Sequence, residues 1–149
     1  MKKVLATTVV LGFASAASAN ILLWDNGGMV THAGQGFGGN DVSMAGTDIT
    51  AAGSNVQGPN FRIADDFTID GSWELTSIVT NAYQSFAMNP GWTGGELNIW
   101  DGSPDDLGSS IVATLRSFTF EFSGVYRVFY GAANLGNSDR PVNEITWDA

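Results

Sequence analysis

The sequence predicts an all-β protein, and three observations support this class. Apolar and polar residues alternate along residues 96–99 and 110–115, on either side of an acidic, turn-rich loop. Phe118, Phe120 and Phe122 alternate with polar residues in the same way. A period of two is typical of half-buried strands, and no convincing helical period follows the first nineteen residues. We therefore expect an antiparallel β-sandwich, jelly-roll-like, of about eight or nine short strands.

Turn-forming residues divide the chain into these strands. In chain order, the predicted strands cover residues 21–24, 29–32, 61–69, 73–86 (as one kinked strand or two), 96–99, 110–115, 118–122, 125–130 and 142–147. Residues 34–58, which are rich in glycine and small polar side chains, are predicted to form a long surface loop.

The predicted strand 61–69 contains a conflict. Strict alternation places Asp65 on the same face as the apolar residues of this strand. Either a bulge at residues 64–66 turns the carboxylate outward, or Asp65 is buried and needs a partner. Arg127 is our hypothesis for that partner, which requires the two strands to be adjacent.

The first nineteen residues are predicted to be a secretory signal peptide. Lys2 and Lys3 precede an apolar stretch at residues 4–13, and Ala17-Ser18-Ala19 forms a cleavage site. Residues 20–149 then form one domain, exported through the inner membrane to the periplasm, the cell surface or the medium. No later apolar stretch is long enough to span a bilayer.

Charge and cysteine content exclude several classes of function. The formal net charge is −9, and beyond the signal only four arginines face 15 acidic residues. Such a surface repels phosphate backbones, so nucleic acid and anionic membranes are poor partners. The absence of cysteine excludes disulfides and a thiol nucleophile, and a domain of this size can fold without them.

The acidic loop is the candidate metal site. Asp101, Asp105 and Asp106 supply oxygen ligands of the kind that calcium prefers. An EF-hand needs glycine at its sixth position and a carboxylate at its twelfth, where this chain has Asp106 and Val112, so that motif is excluded. A looser calcium site remains open beside the simpler interpretation, a solvated hairpin loop.

Aromatic residues are the candidate glycan-binding groups. Trp73, Tyr83, Trp92 and Trp100 could form a stacking platform for sugars, with Trp92 favoured because it lies in a Pro-Gly-Trp-Thr-Gly-Gly loop. Packing in the core or at a sheet edge is the alternative for each of them.

Catalytic motifs are weak. Residues 34–39 match GxGxxG, but no helix is expected after them, so dinucleotide binding is not favoured. His32 is the single histidine, no G-x-S-x-G motif is present, and a zinc cluster or serine triad is therefore disfavoured. The acidic residues offer many carboxylate pairs for a glycosidase but none that is distinctive. We expect a protein without enzymatic activity.

Five segments carry a resemblance to a known group. They are LWDNG at 23–27, GGNDVS at 38–43, FRIADDFTI at 61–69, LNIWDGSPDD at 97–106 and YRVFYGAANLGNSDRPV at 126–142. The chain resembles uncharacterised exported bacterial proteins, many of which carry a PEP-CTERM-type sorting tail. The resemblance implies export and a β-sandwich, but no catalytic residues.

Members of this group usually continue beyond the last segment with further strands, whereas this chain stops at Ala149. We expect that its C-terminal part is missing, the alternative being a short member. The leading functional hypothesis is a surface or extracellular-matrix protein that contacts glycans or surface proteins. A carbohydrate-binding module, with or without calcium, is the second hypothesis, and a small glycoside hydrolase is the third.

Overall fold

The computed structural model describes residues 21–47, 53, 54, 56 and 62–149, and this part of the chain is all-β, as predicted. It contains six strands, fewer than the eight or nine expected. They are β1 (Asp41–Met44), β2 (Ser77–Tyr83), β3 (Leu97–Trp100), β4 (Ile111–Leu115), β5 (Phe118–Val128) and β6 (Pro141–Asp148). The helical elements here are two 3₁₀ turns, Phe37–Gly39 and Ala132–Asn134. The predicted signal peptide lies outside the described residues.

The strands form two sheets. The larger one has the order β1-β5-β6-β2, and the smaller one pairs β3 with β4. All pairs are antiparallel except β1 and β5, which run parallel, so the larger sheet is mixed rather than purely antiparallel. Strands β5 and β6 lie at its centre, and this pair positions both the core and the outer face.

One part of the core is a cluster on one face of the larger sheet. Leu115, Ile145 and Trp147 form a buried cluster, and Phe118 and Phe120 pack against it. The predicted inward orientation of alternate β5 residues is therefore confirmed, because Phe118 pairs with Trp147 and Phe120 with Ile145. The shared face of Ile145 and Trp147 on β6 was predicted as well.

A bulge joins what the sequence suggests are two strands. Residues 118–122 and 125–130 were predicted separately, but β5 runs without interruption to Val128. The register with β6 shifts between Phe122 and Val125. Gly124 lies in this shift with a φ of 80°, a conformation that glycine adopts without steric cost. The bulge therefore lets one strand keep pairing along the whole length of β6.

The predicted hairpin at residues 95–115 is confirmed. Leu97 pairs with Leu115 and Asn98 with Thr114, whose hydroxyl donates a 2.6 Å hydrogen bond to the Asn98 side chain. Leu97 and Leu115 belong to the core described above. A Cβ added at Gly95 would lie 3.1 Å from the Trp147 ring, so this segment passes close to β6 and a larger residue would displace the ring by a few tenths of an ångström.

Three predicted strands do not form. Residues 21–24, 29–32 and the described part of 61–69 have no strand structure, apart from a single bridge between His32 and Val42. In the last segment, Ile63 and Phe67 are 60% and 43% exposed, so the alternation there does not mark a buried face. The opposite error occurs within the predicted loop 34–58, which contains β1 with Val42 fully buried.

The proposed Asp65–Arg127 pair is wrong. Asp65 lies in no strand, is exposed, and accepts a hydrogen bond from the Asn26 side-chain amide. Arg127 lies on β5 and donates a 2.9 Å hydrogen bond to the Ser43 hydroxyl on β1. Because Asp65 is not buried, it does not require a positive partner.

Candidate functional site

The acidic loop between β3 and β4 is held by its own turns. The Asp101 carboxylate accepts a 2.7 Å hydrogen bond from the Ser110 backbone N–H, and its own N–H donates to the Ser110 carbonyl at 3.2 Å. Further out, the backbone N–H groups of Asp105 and Asp106 donate to the hydroxyl and carbonyl of Ser103, at 3.4 and 3.0 Å. Asp101 therefore closes the base of the loop, while Asp105 and Asp106 are exposed.

These contacts decide what the loop can offer to a cation. One oxygen of Asp101 is already engaged by the backbone, and the other carboxylates extend into solvent. Across the ranges that the structure describes, no three acidic, histidine or cysteine side chains are grouped to hold a metal ion. Calcium binding by Asp101, Asp105 and Asp106 stays a prediction, which requires the loop to fold around the ion.

Trp92 lies between the core and the surface. Its ring meets Phe120 edge-on, with 5.2 Å between centroids and 65° between planes, and it packs against the buried cluster. The side chain is half-buried. Part of Trp92 therefore stabilises the fold, and a contact with glycan would use the part that remains exposed.

The other proposed platform residues differ in exposure. Trp100 and Tyr83 are half-buried in strands β3 and β2. Trp73 is 51% exposed, and its indole N–H donates a 2.7 Å hydrogen bond to the Asp70 carbonyl. This bond fixes the ring of Trp73 beside a turn and leaves about half of its surface in water.

Several exposed aromatic residues were not singled out from the sequence. Seven aromatic side chains of the described residues are at least 39% exposed: Trp24, Phe37, Phe67, Trp73, Phe86, Phe129 and Tyr130. Phe86 is the most exposed of them, at 81%. Sequence alternation placed Phe67 on the apolar face of a predicted strand that does not form, which explains its exposure.

Hydrogen bonds connect two of the segments that carry these side chains. The Trp24 indole N–H donates to the Asn26 side-chain oxygen at 2.6 Å, and the Asn26 amide donates to Asp65. Phe67 follows Asp65 by two residues. The segment near the start of the described chain therefore lies against residues 62–69, and both present aromatic side chains to solvent.

A pair of carboxylates lies on the outer face of the larger sheet. Glu121 on β5 is directly opposite Glu144 on β6, and Asn81 on β2 continues the row. Directly opposed residues have Cβ atoms about 4.5–5.5 Å apart, so the two negative charges are close neighbours. The sequence contains no local signal for this pair, because only the strand register brings the residues together.

The remaining motifs keep their simple interpretations. The Nδ1 atom of His32 lies 3.0 Å from the Thr31 hydroxyl, and the residue lies beside β1. His32 is the single histidine of the chain, so no second imidazole can assist it. The GxGxxG run ends in a three-residue 3₁₀ turn followed by strand β1. The helix that would receive a pyrophosphate does not follow it.

Comparisons with known proteins found no relative. No protein-family model, no curated protein and no solved structure matches the chain. Within the described residues, no helix has the length and apolarity needed to cross a membrane.

Proposed function

We propose that the protein is a non-enzymatic, exported component of the bacterial cell surface or extracellular matrix, which works by contacting glycans. The observation that carries the proposal is the set of seven exposed aromatic side chains on a strongly acidic chain. Aromatic faces pack on the apolar face of a sugar ring, and neighbouring polar groups orient its hydroxyls.

The distribution of these side chains favours glycans over a single protein partner. The aromatic residues lie on separate elements, including residues 21–30, the turn after β2 and the segment after β5. A stable protein interface needs about 1,000 Å² or more of continuous, complementary surface. Dispersed rings suit repeated weak contacts with a polymer, whose combined strength increases by multivalency.

The fold we propose for this work is a jelly-roll-like sandwich. Supporting it, the β3–β4 hairpin and Trp92 cover the apolar face of the larger sheet, as a second layer does in a sandwich. The predicted signal peptide and the resemblance to exported bacterial proteins support a location outside the inner membrane.

A carbohydrate-binding module assisted by calcium is the alternative. Asp105 and Asp106 favour it, because both are exposed at the tip of a hairpin loop. The third candidate is a small hydrolase, favoured by the Glu121–Glu144 pair. Retaining glycosidases place two carboxyl groups about 5–5.5 Å apart. This pair lies on a solvent-facing sheet surface, which gives a sugar chain little enclosure.

A glycan array probed with the full chain, with and without EDTA, tests the proposal. We expect binding to at least one class of glycan, without hydrolysis, and with equal strength in EDTA. Binding lost in EDTA would favour the calcium-assisted alternative. Release of shortened glycans, abolished by Glu121→Gln, would favour the hydrolase. A chain that binds no glycan under either condition would contradict the proposal.

A further inference from the structure

In the turn after β2, Phe86 adopts a strained backbone conformation that is not compensated by burial of its side chain. Phe86 has a φ of 66°, in the left-handed region that favours glycine, and is the one non-glycine residue of the described ranges with a positive φ. Its side chain is 81% exposed, so burial does not offset the strain. Strained backbone conformations of this kind are concentrated at active sites, ligand clamps and switch regions.

The strained conformation is fixed by the backbone. The Phe86 N–H donates to the carbonyl of Asp139, and the Ala87 N–H donates to the carbonyl of Gln84 at 3.2 Å. These bonds join the turn after β2 to the segment that precedes β6. Phe86 is therefore held in place beside Asp139, at a junction of two elements.

A depression lies at this junction. Its volume is about 250 Å³, and its lining residues are Phe86, Ala87, Met88, Ser138, Asp139 and Pro141. Pockets for drug-sized ligands are roughly 300–1,000 Å³, so this one accommodates a single ring-sized group. The lining combines an aromatic ring, a thioether and a buried proline with a hydroxyl and a carboxylate.

The polar side of the depression is ordered in advance. The Asn137 amide donates to Asp139 Oδ2 at 3.0 Å, and the Asp139 N–H donates to the Asn137 side-chain oxygen at 2.9 Å. Asp139 Oδ1 accepts no hydrogen bond from the part of the chain that the structure describes. Asp139 therefore keeps one acceptor available, on a side chain whose orientation is already fixed.

The geometry points to a binding subsite for one pyranose unit of a glycan, with Phe86 stacking on the sugar and Asp139 accepting its hydroxyls. This inference rests on the proposed function and assigns it a place on the molecule. A quaternary ammonium is the other chemistry that suits an aromatic ring beside a carboxylate. Such cations are recognised by cages of several rings, whereas Phe86 is the one aromatic residue of this lining.

Saturation-transfer NMR on the full chain tests the subsite. The probes are the methyl glycosides of glucose, galactose, mannose and N-acetylglucosamine, with tetramethylammonium as the cation probe. We expect at least one glycoside to bind. Phe86→Gly and Asp139→Asn should each weaken that binding about tenfold or more, as for a central contact residue. Leu107→Ala, at the fully exposed loop between β3 and β4, is the control and should leave it unchanged.

The variants keep the test decisive. Glycine adopts the φ of Phe86 without strain, so Phe86→Gly should fold at least as well as the parent. Phe86→Ala also removes the ring but keeps the strained backbone conformation. Binding unaffected by either variant would overturn the subsite, and so would binding of tetramethylammonium alone. If the glycan array is positive but insensitive to Phe86→Gly, the subsite fails while the proposed function stands. If the array is negative, both fail.

Discussion

Glu121 and Glu144 lie directly opposite each other on the two central strands of the larger sheet, with Asn81 beside them on β2. The only ion pair between described residues is Arg116–Glu96, at 2.6 Å on the surface, so neither of the opposed glutamates has a cationic partner there. Like charges placed directly opposite each other destabilise a sheet. This pair therefore lowers the stability of the β5–β6 pairing on which the core depends.

Removing one charge of this pair should stabilise the protein. We expect Glu121→Gln to raise the free energy of unfolding by about 0.2–1 kcal/mol, because the amide keeps the shape and removes the repulsion. Urea unfolding measures the change. Glu74→Gln, which removes an exposed charge outside the strands, is the matched control for net charge. An equal gain in both variants would show that the cross-strand pair has no special effect.

Phe86 gives a second stability prediction. A non-glycine residue in the left-handed region costs roughly 1–2 kcal/mol, so Phe86→Gly should be about 1 kcal/mol more stable than Phe86→Ala. Both variants lack the exposed ring, so their difference is the backbone strain less the additional conformational entropy that glycine loses on folding. Thermal unfolding of the two variants measures it. A Phe86→Ala variant as stable as Phe86→Gly would contradict the left-handed conformation.

The loop before β1 allows a test of close packing. A Cβ added at Gly36 would lie 2.8 Å from both the Asn40 carbonyl oxygen and the Val42 side chain, and Val42 is fully buried. Gly36→Ala should therefore destabilise the fold by about 1–3 kcal/mol, as overpacking does. Gly28→Ala is the control, since nothing lies within 4 Å of its added Cβ. It should change stability by about 0.5 kcal/mol or less. Equal effects of the two substitutions would contradict the packing of this loop against β1.

Calcium binding to the β3–β4 loop has a direct thermal test. If the loop binds calcium, adding the ion at 100 times its dissociation constant raises stability by about 2.7 kcal/mol, and magnesium at the same concentration raises it less. Replacing both Asp105 and Asp106 with asparagine should remove that increase. Asp101 is left intact because its carboxylate closes the loop. A melting temperature that calcium does not change would end the calcium-assisted alternative.

The parts of the fold that were predictable are those with strong local alternation and a neighbour nearby in sequence. The 97–115 hairpin and the inward face of Phe118 and Phe120 follow from period-two patterns alone. Strand β1 was missed because its four residues, DVSM, show little β propensity. Its partner on β5, Val125 to Val128, lies more than 80 residues away in the sequence.

At residues 21–24 and 61–69 the error is the reverse of that at β1, because strands were predicted there and none forms. Alternation shows which side chains a strand could bury, but not whether a sheet edge is available to pair with it. Ile63 and Phe67 therefore looked like core residues and are exposed. The candidate site was hidden for a related reason. The contact of Phe86 with Asp139 and the opposition of Glu121 to Glu144 depend on register between distant segments, which composition and spacing do not encode.

The most direct test of the central claim is the glycan array probed with the full chain in the presence and absence of EDTA. A non-enzymatic glycan-binding protein of the cell exterior should retain intact glycans of at least one class, equally well under both conditions. A chain that retains no glycan under either condition would contradict the account.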